Sequence, residues 1–460
     1  MKRGRYIVPI LLAILITGCI PDRFSWSPDG KWMTVLSYLG LRVCDQSGNL
    51  QPGTVPNVGV AVWFPDSSRI MAASQRAVKT WAELQPILSP QQIDDVTAEA
   101  ARLKSAAMAF DWSKGDWQAF LQSFTFTVDD SLKAPVALYL AANADQEWNQ
   151  KIPAERRKQL SDVTAEVYDV SVCTLGASGL ATSGPIFSTL QNIYGIRISP
   201  TGKDAIVVTA KPDADQQNLP CQLIILSVDG SQSLPLTETS SWYPDWTTDG
   251  KSVVFATATA PFTKDASLGT LRREQVIGDD GQILLMPQNT EDLAGIVFSP
   301  LSRVRCLSDG RIIFASAQVT LPATPSDLPK RMELFSLSPG QQATVSRLFP
   351  WQTVEDMGDG AQFFAISPDE KYVSIPDSSG KVDVITLATG EITVVQDKAF
   401  PNFDNNPQLV TVPSWRRGDE LTFASPGNDP AHMDVTVYSV PDQRQRNMSV
   451  TWPEALRSVS

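Results

Sequence analysis

Short apolar runs separated by turn-forming residues recur along most of the chain. Runs such as residues 32–36, 204–208 and 311–314 are rich in β-branched and aromatic side chains, and each follows a cluster of Pro, Asp, Ser or Gly. A third run (for example residues 223–228) and a fourth (for example residues 391–395) follow in several places. This pattern predicts repeated four-stranded, up-and-down antiparallel units.

A turn phrase precedes the second run of each unit and occurs seven times. In the first copy, residues 26–31, it is Trp-Ser-Pro-Asp-Gly-Lys. The central turn positions of the seven copies are Asp29, Asp66, Thr201, Asp249, Asp309, Asp369 and Gly418. Pro presets φ, Asp can accept hydrogen bonds from its own backbone, and Gly accepts the left-handed conformation that closes the turn. We therefore interpret the five aspartates as structural, against the alternative of a carboxylate site.

The spacing of these turns predicts the architecture. Successive turn positions are separated by 37, 135, 48, 60, 60 and 49 residues. Propeller blades of about 40–50 residues are usual, so five intervals fit one blade each and the second exceeds a blade by about 85–95 residues. The predicted fold is an all-β, seven-bladed β-propeller with an insertion in blade two.

The repeated phrase resembles the WD40-like repeat of TolB-type proteins, whose blades carry a Trp-Ser-Pro-Asp-Gly-Lys signature. The resemblance covers residues 22–455 outside the insertion and implies the propeller fold. In that family the phrase is a structural turn, so the resemblance implies little about activity.

The insertion, residues 76–164, has the signals of a helical subdomain. Ser89, a following Pro and Gln92 form a predicted capping box, and apolar residues then recur at helical spacing. The ring does not need this segment, so we interpret it as the candidate partner-binding element. The candidate contact residues are Trp81, Trp112, Trp117, Phe120 and Phe124. The alternative is that these side chains form the insertion's own core and its seat on the propeller.

The first 19 residues have the pattern of a bacterial lipoprotein signal. A basic start precedes an apolar stretch, residues 6–16, which is shorter than the roughly 20 residues of a membrane-spanning helix. Residues 16–19, Ile-Thr-Gly-Cys, resemble a lipobox, so we expect removal of residues 1–18 and acylation of Cys19. The alternative is an ordinary signal peptide with an incidental cysteine. The remaining predicted segments are 19–75 (blade one and the start of blade two), 76–164 and 165–460.

Charge and cysteine content restrict the partners. The net charge is −12, and removal of the leader with its three basic residues would make it −15. An acidic chain disfavours nucleic acid as a partner and electrostatic attachment to anionic lipid. Beyond Cys19 we expect four free, buried thiols (Cys44, Cys173, Cys221 and Cys306), although the sequence leaves their oxidation open.

Few residues offer catalytic chemistry. His432 is the single histidine, and the phosphate-binding, dinucleotide-binding and hydrolase motifs are absent from the sequence. We expect no cofactor, no metal site and no enzyme activity. The alternative is a hydrolase, lyase or small-ligand binding protein (for a sugar or peptide) that uses the propeller tunnel. Clustered Asp, Glu and Arg in the tunnel would favour a ligand, whereas an exposed apolar patch on the insertion would favour a protein partner.

These observations together predict a lipid-anchored propeller on the extracytoplasmic face of a bacterial cell envelope. Its expected role is that of a protein-interaction scaffold or accessory subunit of an envelope complex. Ile20 follows the lipidated cysteine, and the sequence leaves open whether the inner or the outer membrane carries the protein.

Overall fold

The propeller and its insertion are seen in a computed structural model. It describes the following residues: 22–37, 40–113, 115–211, 221–236, 240–259, 266–320, 323, 328, 331–338, 344–349, 360–377, 380–397, 411–426 and 433–448. The predicted leader, Cys19 and His432 lie outside these ranges.

Within the described ranges, the strands form seven antiparallel sheets, each made of strands that are consecutive in the chain. Blade one contains β1 (Phe24–Trp26), β2 (Trp32–Ser37) and β3 (Gly40–Asp45). Blade two contains β4 (Val58–Trp63), β5 (Arg69–Val78), β6 (Ala165–Gly176) and β7 (Gly179–Thr189). Blade three contains β8 (Ile193–Ile198), β9 (Asp204–Ala210), β10 (Cys221–Ser227) and β11 (Ser233–Pro235). Blade four contains β12 (Asp245–Trp246), β13 (Ser252–Ala258), β14 (Ser267–Ile277) and β15 (Ile283–Phe298). Blade five contains β16 (Val304–Cys306), β17 (Ile312–Ser316), β18 (Glu333–Ser338) and β19 (Thr344–Arg347). Blade six contains β20 (Ala365–Ile366), β21 (Tyr372–Pro376), β22 (Val382–Thr386) and β23 (Ile392–Gln396). Blade seven contains β24 (Ser414–Arg416), β25 (Glu420–Pro426), β26 (Met433–Ser439) and β27 (Arg444–Met448). The predicted seven-bladed propeller is confirmed.

Blade one departs from the prediction of four strands in every blade. Its sheet has three strands, and the segment that follows makes only the isolated bridges Cys44–Leu50 and Leu41–Val55. Pro52 lies between the two bridges and Pro56 directly follows the second, and proline cannot donate a backbone hydrogen bond to a strand ladder. This segment is therefore held to β3 by isolated bridges and scattered backbone hydrogen bonds, such as that from the Gln51 N–H to the Val43 carbonyl at 2.8 Å, rather than by a strand ladder.

The first and last blades close the ring through side chains, as expected from the sequence. Within the described residues, the sheet of blade seven consists of β24 to β27. The Trp26 indole N–H donates to Thr422 Oγ1 at 2.8 Å, and Arg416 Nε donates to the Gly30 carbonyl at 2.7 Å. The closure is thus a packed and hydrogen-bonded contact between neighbouring blades rather than a shared sheet.

The insertion lies between the second and third strands of blade two and comprises residues 79–164; it starts three residues later than the predicted 76 because β5 continues to Val78 in its pairing with β6. Its α-helices in the described ranges are α1 (Trp81–Leu84), α2 (Pro90–Ala109), α3 (Trp117–Ser123), α4 (Lys133–Ala142), α5 (Gln146–Lys151) and α6 (Ala154–Ser161), with 3-10 turns at Gln85–Ile87 and Asp130–Leu132. The predicted capping box is present: Gln92 N–H donates to Ser89 Oγ at 3.2 Å, and Ser89 N–H donates to Gln92 Oε1 at 2.9 Å. A further 3-10 turn, Ala361–Phe363, precedes blade six.

The two faces of the ring carry different elements. We call the face at which the inner strands begin the upper face, and the face of the Pro-Asp-Gly turns the lower face. Because the insertion joins the end of a second strand to the start of a third, it lies on the upper face. Gln191, in the link between blades two and three, donates to Ser131 of the insertion at 3.1 Å and helps to seat it there.

Candidate functional site

The turn aspartates all make the same local contact. Each carboxylate accepts the backbone N–H two residues further along the chain, at 2.9–3.3 Å; the pairs are Asp29–Lys31, Asp66–Ser68, Asp249–Lys251, Asp309–Arg311 and Asp369–Lys371. Burial raises their pKa, but hydrogen bonds and neighbouring cations outweigh it, so the pKa of each is lowered. These groups are engaged in closing their own turns on the lower face.

The candidate contact residues of the insertion lie mostly within its own core. Trp112, Trp117, Phe120 and Phe124 form one edge-to-face and stacked cluster, with centroid distances of 4.8–5.8 Å between contacting pairs. Phe120 is only 3% exposed, so it is corrected from a surface position to a core position. The other three are half-buried, and Trp81 packs separately against Tyr139 at 5.0 Å.

The packed side of α3 leaves some apolar surface uncovered at its edge. Trp117, Leu121 and Phe124 follow at intervals of four and three residues and therefore share one side of the helix. Leu121 is 41% exposed, while the other two are half-buried. We call these three residues the α3 stripe; it combines two half-buried candidate residues with the exposed Leu121, which the sequence analysis had not named.

A charged group lies at the ring axis, where the inner strands meet. Arg197 comes from blade three, Asp245 from blade four, Arg303 and Arg305 from blade five, and Asp22 from the segment before blade one. Arg303 Nη2 donates to Asp22 Oδ1 at 2.7 Å, and Arg305 Nη1 lies 3.4 Å from Asp245 Oδ1. Blades one and five are not neighbours in a seven-membered ring, so the first pair meets across the axis. We call these five residues the axial group.

The members of the axial group differ in how fully their charges are matched. Asp245 also accepts the Cys306 backbone N–H at 3.0 Å. Arg303 is 4% exposed, and its guanidinium carbon lies 4.4 Å from the Tyr243 ring centroid. No described residue accepts a hydrogen bond from its Nε. Burial, followed by the repulsion of Arg305, lowers the pKa of Arg197 to about 10, so Arg197 remains charged at neutral pH.

Sequence reasoning did not identify the axial group, although one signal was present. Arg197, Asp245 and Arg305 each directly precede the hydrophobic residue that opens the turn phrase. In the other four blades the same position holds Ser25, Val62, Ala365 and Ser414. Three charged residues at one repeat position in consecutive blades would have pointed to the axis. Asp22 and Arg303 have no such repeat signal.

Other candidates contribute less. A cavity of about 740 Å³ lies between blades four and five, and its lining (for example Leu268, Ile296, Phe314 and Phe335) is apolar or neutral. In the described part of the chain, no three His, Cys, Asp or Glu side chains form a group that could hold a metal ion. No helix in the described ranges has both the length and the apolar composition needed to cross a bilayer.

The four cysteines of the propeller are free. Cys44, Cys173 and Cys221 are buried, and burial raises the pKa of Cys44 and Cys221 to about 12, so they are thiols at neutral pH. The expectation that all four are buried is wrong for Cys306, which is partly exposed because it belongs to an inner strand beside the axis.

The known proteins that resemble this chain do so over a short stretch or at low sequence identity. No protein-family model matches the chain. A stretch of 72 residues is 32% identical to dipeptidyl-peptidase 5 of Porphyromonas gingivalis, covering 15% of this chain and 10% of that peptidase. A TolB structure from Agrobacterium tumefaciens aligns with a TM-score of 0.37 at 13% identity, over 59% of this chain and 84% of that chain. Oligogalacturonate lyase in complex with manganese aligns with a TM-score of 0.45 at 10% identity, over 92% and 91%.

These likenesses concern the propeller fold alone. The structural alignments have TM-scores of 0.37 and 0.45, and the peptidase match covers 15% of this chain, so none of them assigns a family or an activity to it. Function must therefore be argued from the surfaces and charges of this chain.

Proposed function

We propose that this chain is a lipid-anchored protein on the extracytoplasmic face of a bacterial envelope, and that it acts by binding rather than by catalysis. In this role it serves as a scaffold or accessory subunit of an envelope complex, with the helical insertion as its partner-binding element. The observation that carries the proposal is the insertion itself: it has a core of its own and sits on a ring that closes without it.

The insertion is not needed for blade two to pair. β5 and β6 are paired along ten residue pairs, from Arg69–Thr174 to Val78–Ala165. The last pair stands where a short hairpin turn would suffice. Ordering a segment of this size costs about 1–2 kcal/mol per residue in backbone entropy, so a purpose beyond the ring is the economical explanation.

The start of the described chain supports a place for the upper face near the membrane. Asp22, bound to Arg303, follows the predicted lipidated Cys19 by three residues. A chain of three residues spans at most about 11 Å. If Cys19 carries lipid, the upper face with its insertion lies close to the bilayer, where an envelope partner would meet the α3 stripe.

The proposal is tested by replacing residues 79–164 with a two-residue Asn-Gly turn in the full-length protein. We expect the propeller to fold and its main partner to be lost from detergent-extracted complexes, as measured by quantitative mass spectrometry. Leu121→Asp should reduce partner recovery at least tenfold, whereas Leu285→Asp on blade four, where the leucine is 99% exposed, should not. The N-terminal peptide should begin at an acylated Cys19.

Two results would contradict this proposal. Undiminished partner recovery without the insertion would place docking on the ring. An unmodified or uncleaved N-terminus would show that the lipid anchor is absent.

The axial group favours a second function, ligand binding, because its clustered Arg and Asp side chains meet the criterion that the sequence analysis set for a ligand in the tunnel. Arginine is not deprotonated in proteins, so these residues suit binding better than proton transfer.

A further inference from the structure

The axial group contains more positive than negative charge. Arg197, Arg303 and Arg305 face the two carboxylates of Asp22 and Asp245, and each carboxylate is paired with one arginine. In the described part of the chain, Arg197 has no carboxylate within ion-pair distance. An unbalanced charge withdrawn from water is costly unless an anion accompanies it.

The hydrogen bonding of Arg303 is also incomplete. Arg303 donates from Nη2 to Asp22, while its Nε, on the same edge of the guanidinium, has no acceptor among the residues that the structure describes. A carboxylate that approaches this edge squarely accepts from both nitrogens at once. Asp22 is held by the chain and uses one oxygen, so the contact is half of a bidentate pair.

Asp22 marks the position that a carboxylate takes in this site. Its side chain is 46% exposed, whereas Arg303 is 4% exposed. The contact therefore lies at the boundary between the buried axis and solvent, and its carboxylate can be exchanged for one that arrives from outside. Arg197 supplies the additional charge that an incoming anion would balance. Its charged neighbours are, in order of decreasing influence, Arg305, Asp245, Arg303 and Asp22, so it lies within the axial group.

We propose that the upper end of the propeller axis is a binding site for a small carboxylate ligand, held by Arg303 and Arg197, and that Asp22 occupies this site when the ligand is absent. Arg305, neutralised by Asp245, forms the wall of the site. This inference does not depend on the insertion's role, because the axial residues all come from the ring and the segment before it.

The experiment measures binding of succinate to the detergent-purified mature protein by calorimetry at low ionic strength. Succinamide serves as the uncharged control ligand and inorganic phosphate as the competing oxyanion. The variants are Arg197→Gln, Asp22→Asn and, as a control, Arg444→Gln, an exposed arginine on β27. Circular dichroism and the thermal midpoint verify that each variant is folded.

We expect succinate to bind with one site per chain and succinamide not to bind. Arg197→Gln should weaken succinate binding at least tenfold, and Arg444→Gln should leave it unchanged. Asp22→Asn should tighten binding at least threefold because the competing carboxylate is gone; a misfolded protein cannot produce this gain. Equal binding of succinamide, wild-type affinity in Arg197→Gln, no gain in Asp22→Asn, or binding of phosphate in place of succinate would each overturn the proposal.

Discussion

The ring and the insertion bury their apolar residues in opposite ways. In the ring, the buried clusters lie between successive blades: one joins blades one and two through Val43 and Ile70, and another joins blades one and seven through Phe24 and Val437. The insertion has one cluster, drawn mostly from its own helices and centred on Trp148 and Phe120. A blade therefore depends on its neighbours, whereas the insertion depends mainly on itself.

Because their cores are largely separate, the ring and the insertion can each change without the other. Cores shared between blades make the ring cooperative, since the loss of one interface exposes two blades. The insertion touches the ring core at its base, through Val78, Val167 and Leu190. We expect the two regions to open as separate units in hydrogen exchange.

The largest expected effect comes from removing a core aromatic of the insertion. Phe120→Ala should destabilise the insertion by about 3–5 kcal/mol, because a buried ring is replaced by a cavity. The loss should appear in hydrogen exchange of α2 to α6, while the amides of β5 and β6 keep their protection. Leu121→Ala, one residue further and 41% exposed, is the matched control and should change little. Equal loss of protection in the ring would show that the two regions form one unit.

A smaller effect is expected at the ring closure. Arg416, 5% exposed, donates to the Gly30 carbonyl at 2.7 Å and to Glu420 at 2.5 Å, and also contacts Gln46. Arg416→Ala leaves these acceptors without their donor and should cost about 3 kcal/mol of ring stability. Denaturant unfolding followed by tryptophan fluorescence measures it. Arg417→Ala, at the exposed neighbouring arginine, is the control variant. If the two variants lose the same free energy of unfolding, the stability of the ring closure does not depend on Arg416.

The smallest of the three effects depends on pH and belongs to the ring alone. Burial raises the pKa of Asp204 in β9 from 3.8 to about 6, with Lys203 opposing and Asp229 adding to the shift. The unfolded chain therefore loses this proton first, so ring stability falls as pH rises from about 4 to about 6. Asp204→Asn should be more stable than wild type by about 2 kcal/mol at pH 7.5 and equal to it at pH 3.5.

The control for this prediction has the opposite sign. The pKa of Asp29 is lowered in the fold, so Asp29 contributes stability that is present above its unfolded-state value and lost in acid. Asp29→Asn should therefore be the less stable variant at pH 7.5. Urea unfolding at the two pH values measures both. A constant difference between Asp204→Asn and wild type across this range would show that burial does not shift its pKa.

The local chemistry of the turns allowed the fold to be predicted from sequence. The position that follows Pro-Asp in blade one is Gly30, at φ 68°, and the preceding aspartate accepts the Lys31 N–H. The positive φ of Gly30 and the Asp29–Lys31 hydrogen bond both depend on residues close in sequence. The phrase therefore predicts its own conformation and, by its spacing, the number of blades. The helix that begins after Ser89 was predictable for the same reason.

Only the tertiary structure determines that the five residues of the axial group share one site. Asp22 and Arg303 are 281 positions apart and meet because seven blades close into a ring that brings the start of each inner strand to one axis. The burial of Phe120 likewise depends on how α3 packs against the other helices. Periodicity in a sequence shows that a side chain will be covered; only the packing of distant segments decides whether its own domain or a partner covers it, and which charges share a site.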